Sequence, residues 1–179
     1  MRRLTLIIAL AVSTLWLGGN LALVIGAIRV FPLAKDGAID AGTREVGEVF
    51  GIMFAAWAVV MLVLLGILVI LRLWHWILVL RQQRMTVGIG LAAAALTALV
   101  ITTLASVQAV FAANEAYLDE DRAQTDAERT EARERFTQAH VASDTWNSRS
   151  LVALIIVVVG LGIALQREGR APGPTPARA

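Results

Sequence analysis

Cysteine is absent from the 179 residues, histidine occurs twice, and charged side chains make up only 17% of the chain. Without thiols there is neither a disulfide framework nor a cysteine-based metal or redox centre. Soluble domains carry about 25% charged residues, so this chain has too little polar surface to cover a water-facing exterior. Proline is nearly missing from the body of the chain: Pro172, Pro174 and Pro176 lie in the last eight residues, and only Pro32 precedes them. Neither glycine nor proline occurs from Leu91 to Val159, which permits long unbroken helices there. No Ser/His/Asp constellation, HExxH motif, phosphate-binding loop or pair of intramembrane carboxylates occurs, so the chain reads as a non-enzyme.

What is present is oil. Hydrophobic residues make up 58% of the chain. The high pI of about 9.9 reflects a net charge of only +2, not a basic patch that could grip nucleic acid. The fold class expected is all-α, an integral membrane four-helix bundle. The spans fall at about 4–30, 47–72, 87–113 and 148–166, each long enough or extendable enough to cross a hydrocarbon core of roughly 30 Å at about 1.5 Å per residue. Arg2 and Arg3 before an apolar run resemble a signal peptide. The run exceeds the usual h-region of about 7–15 residues, which favours a retained helix. Arg72, Trp74, His75 and Trp76 read as an interfacial belt, with Leu73 to Leu80 lying along the headgroups or extending the helix.

An even number of spans puts both termini on one side. Arg2, Arg3, Arg72, Arg81, Arg84, Arg167, Arg170 and Arg178 fall there, and an equal number of cations falls opposite, so a raw positive-inside count ties. The termini side carries its cations in short segments almost free of acids, which favours cytoplasmic termini in a bacterial inner membrane.

Between the third and fourth spans, residues 114–147 form an extramembrane charged hairpin. Thr125 and Glu128 fit a capping box, and Glu131 and Arg135 stand at i,i+4. Residues 1–167 therefore form one membrane domain. The tail 168–179, rich in proline and glycine, is expected to be disordered.

In lipid, small residues allow close helix approach. Thr14, Gly18, Ala22 and Gly26 recur every four residues, as do Gly47, Gly51 and Ala55, and Ala94, Ala98, Thr102 and Ser106. Gly18, Ala22, Gly26, Gly47 and Gly51 are accordingly expected at helix seams, within the chain first and in a dimer second. Buried polar side chains are costly unless paired. Asn20, Gln108 and Asn147 are expected to converge on one hydrogen-bonded locus in the outer half of the membrane, near Ser106, Glu48 and Arg29. Phe136, His140, Ser143 and Asn147 fall within an arc of roughly 60° on one helix face.

That F-x3-H-x2-S-x3-N spacing, the Leu17-Gly18-Gly19 motif of the first helix and the Val49-Phe50 pair entering the second resemble domain-of-unknown-function family 4149, the transmembrane protein 205-like family. The resemblance covers roughly residues 10–165. It implies a four-helix membrane domain linked in animals to platinum-drug resistance, without an established chemical mechanism. The family places an asparagine and then a Pro-Arg pair after the third helix; here Asn114 is followed by Glu115 with no proline.

Three function classes follow from the residues. The first binds or passes a small or lipid-like ligand at a polar site of Asn20, Gln108, His140, Ser143 and Asn147. The second is a structural or assembly subunit that docks a protein partner through the charged hairpin or forms a homo-oligomer. The third, a haem or metal redox protein, ranks last, because His75 and His140 fall at opposite membrane faces; no cofactor is expected. Membrane lipids are the partners common to all three.

Overall fold

The computed structural model describes residues 2–39, 42–80 and 87–169. They form four helices, α1 (Arg2–Lys35), α2 (Thr43–Leu80), α3 (Val87–Arg122) and α4 (Asp126–Gly169). Each contains a stretch long and apolar enough to cross a membrane. The helices stand in a ring. Among the described residues α1 packs on α2 and α4, α3 packs on α2 and α4, and the diagonal pairs do not touch. Arg2 Nη2 donates to the Leu78 carbonyl at 3.0 Å, and Arg44 pairs with Asp121. Sequential helices are therefore antiparallel, with both termini at one end of the bundle.

The helix ends follow from local chemistry. Pro32 lies inside α1 near its C-terminus. Gly37, at φ 67°, closes the helix. Its N–H bonds the Ala34 carbonyl at 3.3 Å while the Ala38 N–H bonds Leu33 at 2.9 Å, the paired return bonds of a left-handed glycine cap. At the start of α2 the Glu45 carboxylate accepts from the Gly42 N–H at 2.6 Å. The predicted capping box is present at α4: Glu128 accepts from the Thr125 N–H at 3.1 Å, and Thr125 Oγ1 accepts from the Glu128 N–H at 3.2 Å. The second pairing expected there differs, because Arg135 reaches Asp119 on α3 at 3.3 Å in place of Glu131. A partner on the facing helix wins over one on its own.

Residues 73–80 extend α2, and α3 continues beyond the expected end of the third span, at about 113, to Arg122. Helix α4 includes residues 168 and 169, the first two of the segment expected as a tail. The rest of that tail, and the Arg81 to Arg84 segment in which the sequence suggests a tight connection between the second and third spans, lie outside the described residues.

The core follows alternating steps of three and four. Leu6, Ala9, Ser13, Trp16 and Asn20 face inward on α1, and Ala58, Met61, Leu65, Leu68, Arg72 and His75 on α2. Leu96, Leu99, Thr103 and Ser106 do so on α3, and Ser150, Leu154, Val157 and Leu161 on α4. That alternation is the seam of antiparallel bundles packed like coiled coils.

The small-residue ridges do not coincide with these seams. Gly18 and Ala22 lie on the exposed side of α1, and nothing approaches the position of a Gly18 Cβ within 4 Å. Gly47 is likewise open, whereas a Cβ at Gly26 would lie 3.7 Å from the Phe50 ring and one at Gly51 would lie 3.7 Å from Asn114 Oδ1. The closest approach is at Gly19, where a Cβ would overlap the Trp57 indole. At about 100° per residue, the centre of the α1 seam lies roughly 180° from that of the glycine ridge.

Candidate functional site

Midway along α1 the inward face turns polar. Asn20 is buried, and its Oδ1 accepts from Trp57 Nε1 on α2 at 2.8 Å. Gly19 supplies the space into which that indole settles. One turn earlier stands Trp16, fully buried, and Ser106 on α3 is buried as well. Trp16 Nε1, Asn20 Nδ2 and Ser106 Oγ have no hydrogen-bond partner among the described residues. Buried donors are costly when unmet. Neighbouring polar groups are satisfied: Thr103 and Ser150 share a bond of 3.1 Å between α3 and α4, and Ser13 Oγ returns to the Ala9 carbonyl at 2.8 Å.

The five candidate polar residues are only partly gathered. Asn20 is inside, Ser143 and Asn147 are half-buried on α4, and Gln108 and His140 are exposed. Among the described residues no hydrogen bond joins any two of them. Gln108 stands on the outward side of α3, where it cannot meet Asn20, because the two helices are diagonal in the ring. The expected single locus therefore reduces to Asn20, and its partner is an indole that sequence reasoning missed. Ser106, expected nearby, does face inward.

The Phe136 to Asn147 face has a different setting from the one expected. His140 stacks on Phe136 with ring centres 5.6 Å apart, and its Nε2 lies 3.8 Å from Asp144 Oδ2. Phe136 in turn meets Tyr117 at 6.0 Å. The Tyr117 hydroxyl donates to Glu48 Oε1 at 3.3 Å, and Arg44 stands 3.7 Å from the same oxygen. Burial, and then the adjacent Glu48 carboxylate, push the Tyr117 phenol up. Glu48, expected at the polar locus, thus belongs to this strip.

Further along the hairpin Arg133 bonds Glu120 at 2.7 Å. Two open grooves of about 340 and 420 Å³ lie on this part of the molecule, the first along Asp119, Arg122, Glu128 and Arg135, the second along Glu115, Arg135 and Gln138. No group of three or more metal-ligating side chains occurs among the described residues.

His75 departs from the expected aromatic belt. It and Arg72 occupy core positions at the termini end of α2, while Trp74 remains exposed. The three-and-four spacing from Leu65 and Leu68 was the available signal. No protein-family model, curated protein or solved structure matches this chain.

Proposed function

We propose that this protein crosses a bacterial inner membrane four times with both termini cytoplasmic, and binds or passes a small, weakly polar or lipid-like ligand at the level of Asn20. The outward faces support the membrane setting. In the most apolar stretch of each helix only 22–28% of the residues are buried within the bundle, and Leu91, Ile52 and Ile70 are about two-thirds exposed or more. Water does not tolerate contiguous apolar surface of that extent. The resemblance of its short motifs to family 4149, for which no family model matches, implies a four-helix membrane domain and supplies no chemistry.

The observation that carries the ligand site is the set of unmet buried donors, Trp16 Nε1 and Asn20 Nδ2, on one face of α1. A guest offering carbonyl, ether or ester oxygen would satisfy both where the apolar surroundings cannot. The test is extraction and mass spectrometry of small molecules and lipids that co-purify with the native protein and with Asn20→Leu and Trp16→Phe. A species retained by the native chain and depleted in both variants is expected; identical extracts would make the polar level purely structural.

A second reading, a docking role for the hairpin, is favoured by its grooves and by the exposed Glu131 and Glu134 on α4. Reversing both charges would weaken capture of a protein partner while leaving the Asn20-dependent extract unchanged.

A further inference from the structure

Helices α3 and α4 are held at a fixed relative height by the Thr103–Ser150 bond of 3.1 Å and by Arg133 on Glu120. The apolar run of α3 ends at Ala113, ten residues beyond Thr103, so Ser150 sits roughly 15 Å below that end at about 1.5 Å per residue. The residues of α4 just before Ser150 are nevertheless polar. Asp144, Thr145, Ser148 and Arg149 are all exposed, at heights where α3 turns Leu104, Gln108 and Phe111 outward. In the membrane setting proposed above, on which this inference rests, such a face is costly against lipid tails.

Two of its members are charged and poorly matched. Arg149 stands 4.6 Å from the centre of the Trp146 ring, and no hydrogen bond or ion pair reaches it among the described residues. The Asp144 side chain is 75% exposed, and its one partner among those residues is His140, at 3.8 Å.

The exposed residues around this pair keep a heptad. From Val141 they step by four and three through Thr145, Ser148, Val152, Ile155 and Val159, on the side of α4 opposite its buried Ser150, Leu154, Val157 and Leu161. With Val141, Ser148 and Ile155 at d, the a positions Thr145, Val152 and Val159 are all β-branched, the choice that favours two parallel strands. Asp144 then falls at g and Arg149 at the following e. In a parallel pair a g residue meets the partner's e residue five positions on. The rise between them is about 7.5 Å, and helical side chains lean toward the N-terminus, which carries the arginine toward the height of the aspartate. Above Val141 the same register sets Glu134 and Glu131 in the seam, where like charges would oppose, so the pairing ends near Gln138.

We propose that two copies of the chain pair through this face of α4, parallel and side by side, with Asp144 of each copy bonded to Arg149 of the other. Copies inserted in one orientation meet in parallel. The charges are complementary only between copies, and a two-fold axis forms both bonds at once.

The absence of cysteine permits a direct test in native membranes. Ser148→Cys, Val152→Cys and, as a control on the outward side of α1, Leu15→Cys are oxidised with copper phenanthroline, and the membranes are washed with carbonate. The two α4 variants are expected to give a product of twice the chain mass, at least tenfold more than Leu15→Cys. In the Ser148→Cys background, Asp144→Arg or Arg149→Asp should each lower that yield at least fivefold, and the two together should restore it to within twofold. Equal yields at all three thiols, or products of another mass, would overturn the proposal, as would single charge variants within twofold of the parent. If a single variant is lost from the membrane, the exchanged pair decides, and a yield fivefold below the parent overturns the bond. Absence of the doubled product with the chain retained in washed membranes overturns the pairing alone, whereas release of the chain by carbonate overturns the membrane setting and this inference with it.

Discussion

Adjacent glycines in one motif should respond oppositely to the same substitution. Gly18→Ala places a methyl group where nothing lies within 4 Å. Alanine is better than glycine in a helix interior by roughly 0.5–1 kcal/mol, so this variant should be neutral or more stable by up to about that amount. Gly19→Ala places the methyl group inside the Trp57 indole, which is tied at its far edge to Asn20. Overpacking costs about 1–3 kcal/mol. A side-chain hydrogen bond between membrane helices averages about 0.6 and reaches about 1.7 kcal/mol. After the propensity gain, Gly19→Ala should lose about 1–3 kcal/mol. Unfolding of both variants in mixed micelles, titrated with sodium dodecyl sulfate and followed by circular dichroism, measures the difference. Equal shifts for the two variants, or a larger loss at Gly18, would refute the assigned rotation of α1 and return the seam to the glycine ridge.

Three further outcomes follow from the packing and the caps. Ser150→Ala and Thr103→Val should each destabilise the bundle, and the double variant should show a coupling of about 0.5–1.5 kcal/mol in the same titration, as expected for a shared bond; additive losses would deny the bond. Thr125→Ala should cost about 1 kcal/mol at the start of α4, read as faster amide exchange at residues 126–130 with the centre of the helix unchanged. The Glu128 carboxyl is held below its usual range by bonds from the Gln124 and Thr125 backbone and the Thr125 hydroxyl. Its contribution is therefore present above the unfolded-state value and lost as pH falls through the folded one. Protection at the cap should stay flat from neutral pH to about 5 and decline only below roughly pH 4; loss beginning near neutrality would contradict this assignment.

Helix number and several helix ends were legible in the sequence because their causes are local. The Thr125-Glu128 box, the absence of glycine and proline from 91 to 159, and the apolar runs each act within a few residues of chain. Which face of each helix turns inward was not legible from hydrophobicity. Outward-facing Ile52, Ile70 and Leu91 are as apolar as buried Leu68 and Leu99, so the usual amphipathic contrast is missing. The contrast that does exist is inverted: Ser13, Asn20, Thr103, Ser106 and Ser150 are inside, because a bundle partner is the better place for a hydroxyl or amide than a lipid tail. Spacing of polar residues at three and four would have found the seam that small residues misplaced. Gln108 does not follow that register and stands outside. The Asn20 partner was not legible for a different reason, since Trp57 lies 37 residues away and only the pairing of α1 with α2 joins them.

The chain contains no cysteine, which makes single introduced thiols a direct measure of the central claim of four bilayer crossings. Arg3→Cys, Ala38→Cys, Gln124→Cys and Arg167→Cys are each labelled with a membrane-impermeant maleimide in sealed vesicles of known orientation. The account predicts labelling of residues 38 and 124 from one side and of 3 and 167 from the other. Residues 3 and 38 reacting from the same side, or 124 and 167 doing so, would contradict it.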